Sequence, residues 1–201
     1  MMNEKAGFGD VSNAALIKSA DFTEQVGMEG HYVAKCYDKD GNLKWEDKIE
    51  NLVVAVGKQL MLDTLLSGSS YSATVRMGLV SGASAPTYAA ADTQASHAGW
   101  LESGDDNAPT YSGGRPTITF NSASSTGSTP SNVTTKAGSA AVSFTFTGSG
   151  TVAGCFININ GSATVDDTTG TLYSAGSFTG GDKPVASTDQ LNVTYSTTAT
   201  S

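Results

Sequence analysis

The chain has 201 residues, which is enough for one substantial domain with or without an extended arm. Its formal net charge of −8 at pH 7 argues against binding to nucleic acid or to an anionic membrane, because both need clustered Lys and Arg. Charged residues make up only 15% of the chain, against about 25% in a typical soluble protein, and Gly, Ser and Thr take their place. This composition favours an all-β protein with long loops over an α/β enzyme.

Residues 1–28 combine small and acidic residues with a few scattered apolar ones. The apolar side chains that could anchor this stretch to a partner are Phe8, Leu16, Ile17 and Phe22. The stretch is either a poorly ordered terminus or an extended N-terminal arm that becomes ordered on a neighbouring subunit, and we favour the arm. It lacks the basic and apolar regions of a secretory signal, so we expect a soluble protein made in a cytoplasm.

A β-hairpin is predicted around the turn sequence at residues 38–42. Alternating apolar and polar residues lie on both sides of this turn, which contains an Asp-Gly pair. Asp38, Asp40 and Asn42 also match the first ligands of a calcium-binding loop. The position that needs an invariant glycine holds Leu43, and flanking helices are missing, so we interpret the segment as a hairpin turn.

Residues 51–66 form the only long helical pattern in the sequence. Val53, Val56 and Leu60 recur at helical spacing, while Lys58 lies on a narrow polar side. A broad apolar arc is typical of a helix buried against a sheet. The pattern therefore predicts one buried helix over 51–66, with Asn51 as its N-cap.

A long loop without periodicity follows over residues 81–115. It carries three widely spaced aromatic residues, Tyr88, Trp100 and Tyr111, and a short helix is predicted at 90–95. The aromatic side chains either anchor the loop on the domain or form a platform for a sugar or another partner. The sequence leaves both interpretations open.

The second half of the chain consists of short strand patterns separated by turn residues. We predict strands at 71–80, 116–120, 140–147, 151–158, 171–178 and 190–195, and an exposed low-complexity loop at 121–139. Short strands without intervening helices indicate a sandwich or a barrel, and about eight strands is the number in a jelly roll. The predicted fold is mainly β: a jelly-roll-like antiparallel β-sandwich over 29–201, with one buried helix and an N-terminal arm.

No motif for catalysis or for a metal is present. His31 and His97 lack recognisable partners, and the two cysteines, Cys36 and Cys155, have no metal-binding spacing. We expect reduced structural thiols. The acid pairs at 105–106 and 166–167 could serve a glycosidase or a cation site, but solvated turns explain them more simply. We therefore predict a protein that is not an enzyme and needs no cofactor.

The chain resembles a group of small virion proteins of tailed, podovirus-like bacteriophages over about residues 30–196. The segments that carry the resemblance are GHYVAKCYDKDGNLKWEDKIENLVVAVGKQLMLDTLL, VRMGLVSG, YAAADTQASHAGW, RPTITF, AAVSFTFT, GTVAGCF and GTLYSAGSFTGGDKPV. Similar proteins are encoded near phage head genes, and similar segments also occur in tail or fibre proteins.

The resemblance implies a head decoration (cement) protein on the capsid surface. Such a protein binds the major capsid protein, clamps neighbouring subunits and is a homo-oligomer, a dimer or a trimer, on the lattice. The alternative is a tail- or fibre-associated adhesin module that binds a host surface glycan. An enzyme such as a virion glycan hydrolase is a third hypothesis.

Overall fold

A computed structural model describes residues 27–66, 72–126 and 133–200, and these residues form a mainly β protein with one helix. The elements in chain order are β1 (Gly27–Tyr37), β2 (Leu43–Val53), α1 (Ala55–Leu66), β3 (Val75–Ser81), β4 (Ser124–Thr126), β5 (Val133–Ala137), β6 (Val142–Thr145), β7 (Gly150–Ile159), β8 (Thr171–Ser177), β9 (Lys183–Val185) and β10 (Gln190–Thr200). Of the residues described, none belongs to a helix that is long and apolar enough to cross a membrane.

The predicted hairpin is confirmed as the pair β1 and β2. Gly30 lies opposite Asn51 at one end of the pair, and Tyr37 lies opposite Leu43 next to the turn. From Glu29 onward the residues of β1 alternate between accessible and buried positions, with Tyr32, Ala34 and Cys36 buried. A strand with one buried face produces this pattern of period two.

All strand pairings are antiparallel and connect the strands into one curled sheet. The order along the sheet is β3-β7-β8-β2-β1-β10-β5-β4, with β6 on β10 and β9 on β7. The corner strand is β2, because residues up to Asn51 pair with β1 whereas Leu52 and Val53 pair with β8. The main core lies between the two halves of the curled sheet and contains side chains from β1, β2 and β10 and from β3, β7 and β8.

A smaller second core covers the other face of the β3-β7-β8 half. Its buried members are Val54, Val80, Trp100, Ala153, Phe156, Leu172 and Ala175. Val54 immediately precedes α1 and Trp100 belongs to the long loop, so these two segments form an outer layer. The sheet half beneath them is therefore covered on both faces, which agrees with the nearly continuous burial of β3 and β7.

The helix prediction is correct in existence and wrong in its start and its burial. Residues 51–53 are the end of β2, and α1 begins at Ala55, so Asn51 is a strand residue and not an N-cap. The pairing of Leu52 and Val53 with β8 overrides the local helical pattern. The helix is a partly exposed surface helix, since Leu62 is 58% and Leu66 is 78% exposed.

Two loop predictions also need correction. The low-complexity stretch at 121–139 contains β4 and β5, because its Ser and Thr side chains can line a strand that pairs at the sheet edge. Residues 90–95 form turns and an isolated bridge between Thr93 and Ser96 instead of a short helix. The predicted strand at 116–120 is reduced to isolated bridges, in which Thr117 pairs with Arg76 and Phe120 with Gly138.

Candidate functional site

The loop over 81–115 is packed onto the sheet through Trp100. The indole is 1% exposed, and its Nε1 donates a hydrogen bond to Asp92 Oδ2 at 3.2 Å. The Phe156 ring packs against the indole with ring centroids 5.1 Å apart. The His97 ring stacks on the indole with centroids 3.8 Å apart. His97 is therefore part of the packing of this loop.

The other two aromatic residues of the loop are also anchors. Tyr111 is 8% exposed and meets the Phe144 ring edge-on, with centroids 5.1 Å apart. Tyr88 is partly buried, and its hydroxyl lies 3.0 Å from Ser177 Oγ. The rings of Tyr88 and Trp100 are neighbours, with centroids 6.3 Å apart, but Trp100 and Tyr111 are buried. The three residues therefore form no exposed platform, and we assign them to packing. The remaining predicted partner contacts, Phe8, Leu16, Ile17 and Phe22, lie outside the described residues.

A buried ion pair between Glu102 and Arg115 fixes the base of the long loop. The Arg115 side chain is 0% and the Glu102 side chain 2% exposed, and Arg115 Nε donates to Glu102 Oε1 at 2.7 Å. Arg115 also donates to the carbonyl oxygen of Asp167 at 2.8 Å, while Glu102 accepts from the backbone N–H of Asp166 at 3.0 Å. Burial raises the pKa of the Glu102 carboxyl, and the guanidinium of Arg115 opposes that shift. The pair joins two loops that are remote in sequence.

The structure brings the two acid pairs to one place. Burial raises the pKa of the Asp166 carboxyl, and the backbone of Asp106 and the carboxylates of Asp105 and Asp106 are near enough to influence that pKa. Asp167 instead accepts from the backbone N–H of Thr169 at 2.8 Å, as a turn residue does. Within the residues that the structure describes, no three His, Cys, Asp or Glu side chains are arranged to hold a metal ion.

The carboxylate of Asp38 is occupied by its own turn. Its Oδ1 accepts from the backbone N–H groups of Asp40 and Asn42, at 2.9 and 2.8 Å, and its Oδ2 accepts from the Asn42 side chain at 3.0 Å. Hydrogen bonds from Asn42 are the main reason why the pKa of Asp38 is lowered. The contacts agree with a hairpin turn.

The two ends of the sheet differ in their surfaces. At one end, which we call the arm end, β1 begins at Gly27, β10 finishes at Thr200 and β2 leads into α1. The helix lies against β8 there, with Gly57 in close contact with the backbone of Tyr173. Its outer side exposes Leu62 and Leu66, an apolar pair one turn apart.

At the opposite end, which we call the tip end, the surface is mostly polar and Leu43 is an exposed apolar exception. The turn at 38–42 lies there beside the start of β10, because Tyr37 pairs with Gln190. Sequence reasoning missed this asymmetry. The helical pattern predicted a buried helix and did not single out Leu62 and Leu66 as exposed, and residues at 190–195 were identified only as a strand.

Comparison with known proteins does not place this chain in a family, since no family model, no curated protein and no solved structure matches it.

Proposed function

We propose that this protein is a structural component of a bacteriophage virion, a head decoration protein that binds the major capsid protein and stabilises the capsid lattice. The proposal combines the sequence resemblance with one structural observation. The exposed leucines of α1 lie at the end of the sheet where β1 begins at Gly27. An apolar patch next to the predicted arm provides two adjoining contacts for one partner surface.

The distribution of charge supports a protein partner. The net charge of −8 disfavours nucleic acid and anionic membranes, and it would complement a basic patch on a shell. The loop over 81–115 covers the outer face of the β3-β7-β8 half of the sheet, which suits a component that must hold its shape on a lattice. The same proposal includes a jelly-roll-like sandwich fold, a dimer or trimer on the capsid, and location on the capsid surface.

The first experiment is to determine how many copies purified particles contain, relative to the major capsid protein, by quantitative mass spectrometry. A ratio near one, or a simple lattice fraction of it, supports the head location. About a dozen copies would instead support a tail- or fibre-associated adhesin module. Absence from particles would overturn both.

A second experiment tests the arm end directly. We expect that deleting residues 1–26, or replacing Leu62 and Leu66 with Ser, weakens binding to particles stripped of this protein by at least about tenfold. Leu43→Ser is the matched control, because Leu43 is 53% exposed but lies beside the turn at the tip end. Equal loss of binding in the control, or no loss in the arm-end variants, would contradict the proposed attachment.

A further inference from the structure

A groove of about 450 Å³ lies on the outer face of the sheet at the tip end. Its lining includes Tyr37, Asp38, Thr145, Gln190 and Asn192. These residues come from β1, β6, β10 and the hairpin turn, so the groove depends on strands that are far apart in sequence.

Strand register arranges the outward side chains of this region in two rows. Tyr37, Gln190 and Thr145 are direct cross-strand neighbours and form the first row. Lys35, Asn192 and Ser143 form the second row, two residues further along the same strands. Neighbouring strands are about 4.8 Å apart and successive rows about 6.7 Å apart, so the side chains of the two rows form one compact surface.

Apart from Lys35, the side chains of the two rows are neutral and polar or aromatic. Tyr37 is half-buried, so part of its ring faces the groove, and Gln190 and Thr145 are exposed. Asn192 is half-buried, and its Oδ1 accepts a hydrogen bond from Ser143 Oγ at 2.5 Å, which orients the amide. An aromatic ring beside amide and hydroxyl groups provides a stacking surface together with donors and acceptors for vicinal hydroxyl groups.

Most charges near the groove are compensated by neighbours. Lys35 pairs with Glu46 at 3.2 Å, and Lys39 pairs with Asp40 at 2.8 Å. The carboxylate of Asp38 keeps its charge, but both of its oxygens accept hydrogen bonds within the turn. The groove therefore presents dipoles, an aromatic face and one carboxylate, and this disfavours an anion such as phosphate or sulfate as its ligand.

From this arrangement we infer that the groove binds a neutral saccharide, with Tyr37 as the stacking residue and with Gln190 and Asn192 as hydrogen-bonding residues. The inference goes beyond attachment to a capsid and does not depend on it. The groove lies at the tip end, away from the proposed attachment surface, so both could be occupied in one molecule.

The test is a titration of the isolated full-length protein followed by ¹H–¹⁵N NMR. The probes are the methyl glycosides of glucose, galactose, mannose and N-acetylglucosamine, and the disaccharides maltose, lactose and chitobiose. We expect saturable shifts, for at least one probe, centred on the backbone amides of Tyr37, Gln190 and Asn192. No saturable shift with any probe, or shifts centred elsewhere, would overturn the inference.

Substitutions test whether the assigned side chains contact the saccharide. Tyr37→Ala and Gln190→Ala should each weaken binding about tenfold, whereas Tyr37→Phe should retain it because the ring remains. Thr194→Ala is the matched control, since Thr194 is exposed on the same face of β10, beyond Asn192. Unchanged binding by Tyr37→Ala, with dispersed spectra showing that it is folded, would refute the assignment. Particle binding is measured separately, so its failure would leave this result standing.

Discussion

Arg115 and Glu102 form an ion pair that solvent does not reach, although thirteen residues separate them in the sequence. Both partners bind the backbone of the loop at 166–167 as well, through Asp166 N–H and the Asp167 carbonyl. The long loop is thus held at its base by charge-assisted hydrogen bonds and further out by Trp100.

Removing one partner of this pair should be costly. We expect Arg115→Met to lower the free energy of unfolding by about 3–5 kcal/mol, because it leaves the Glu102 carboxylate buried without a counter-charge. Urea denaturation at neutral pH measures the loss. Lys39→Ala is the control: Lys39 and Asp40 are 70% and 63% exposed, and such a pair contributes about 0–1 kcal/mol.

The loss of stability in Arg115→Met should depend on pH. Burial raises the pKa of Glu102 in the folded protein, so protonation favours folding and the fold loses stability as pH rises through that pKa. Without Arg115 the hydrogen bond from the backbone N–H of Asp166 is left to oppose this shift, so the deficit of Arg115→Met should shrink as pH falls from neutral towards about 4. Urea denaturation across this range checks it, and a deficit that is constant or grows would contradict the assignment of the charge.

Asp47 should contribute stability that is lost in acid. Its side chain is largely buried, which by itself raises the pKa, but hydrogen bonds from Lys183, Thr179 and Gly180 outweigh burial and lower the pKa to about 2. Because the folded pKa is depressed, the contribution is present above the unfolded pKa and disappears as pH falls through about 2.

Chemical denaturation at a series of pH values checks this contribution. Asp47→Asn should be less stable than the unchanged protein at neutral pH, and the two should converge near pH 2. Asp63→Asn, at an exposed position of α1, is the control and should be close to neutral. If the difference in stability between Asp47→Asn and the unchanged protein stayed constant down to about pH 2, Asp47 would not be the source of the stability lost in acid.

Gly57 allows α1 to lie close to β8. A Cβ at this position would be 2.5 Å from the carbonyl oxygen of Tyr173, and that oxygen already accepts from the backbone N–H of Val54. Gly57→Ala should therefore destabilise the protein by about 1–3 kcal/mol, although alanine is the better helix former by about 0.5–1 kcal/mol. Thermal or urea unfolding measures the net effect.

The matched control for Gly57 is Lys58→Ala, an exposed substitution in the same turn of the helix. It should change stability by less than about 0.5 kcal/mol. A stabilising effect of Gly57→Ala would show that the helix can move away from Tyr173 at no cost.

The two thiols should be unreactive in the folded protein. Cys36 and Cys155 are buried and free, and burial raises the pKa of the Cys36 thiol to about 11 and also raises that of Cys155. Since the thiolate is the nucleophile, a disulfide reagent at about pH 8 should modify neither residue at an appreciable rate until the chain unfolds. Spectrophotometric thiol titration with and without guanidinium chloride checks this, and rapid modification under native conditions would contradict it.

Local patterns determined several features that the structure retains. The hairpin follows from alternation around an Asp-Gly turn, and its turn bonds form within residues 38–42. Most later strands follow from alternation between turn residues, as β6 with buried Val142 and Phe144 illustrates. Composition was enough to predict a mainly β protein.

Only the tertiary structure decided where the helical pattern begins and which side of it is exposed. Residues 51–53 have a helical pattern, but pairing of Leu52 and Val53 with β8 satisfies their backbone groups and makes them strand. The outer leucines of α1 are exposed because the helix contacts β8 through the side that carries Gly57.

The sequence by itself determined the elements whose hydrogen bonds are local. It also carries no recognisable catalytic motif. Tertiary structure decided the curled order of the sheet, the buried pair of Glu102 and Arg115, and the rows of Tyr37, Gln190 and Thr145. The residues that these features bring together are separated in the sequence by between 13 and more than 150 positions, and Tyr37 and Gln190 are an example of the larger separation. A periodicity within one segment carries no information about which distant strand will lie beside it, because that choice depends on packing of the whole core.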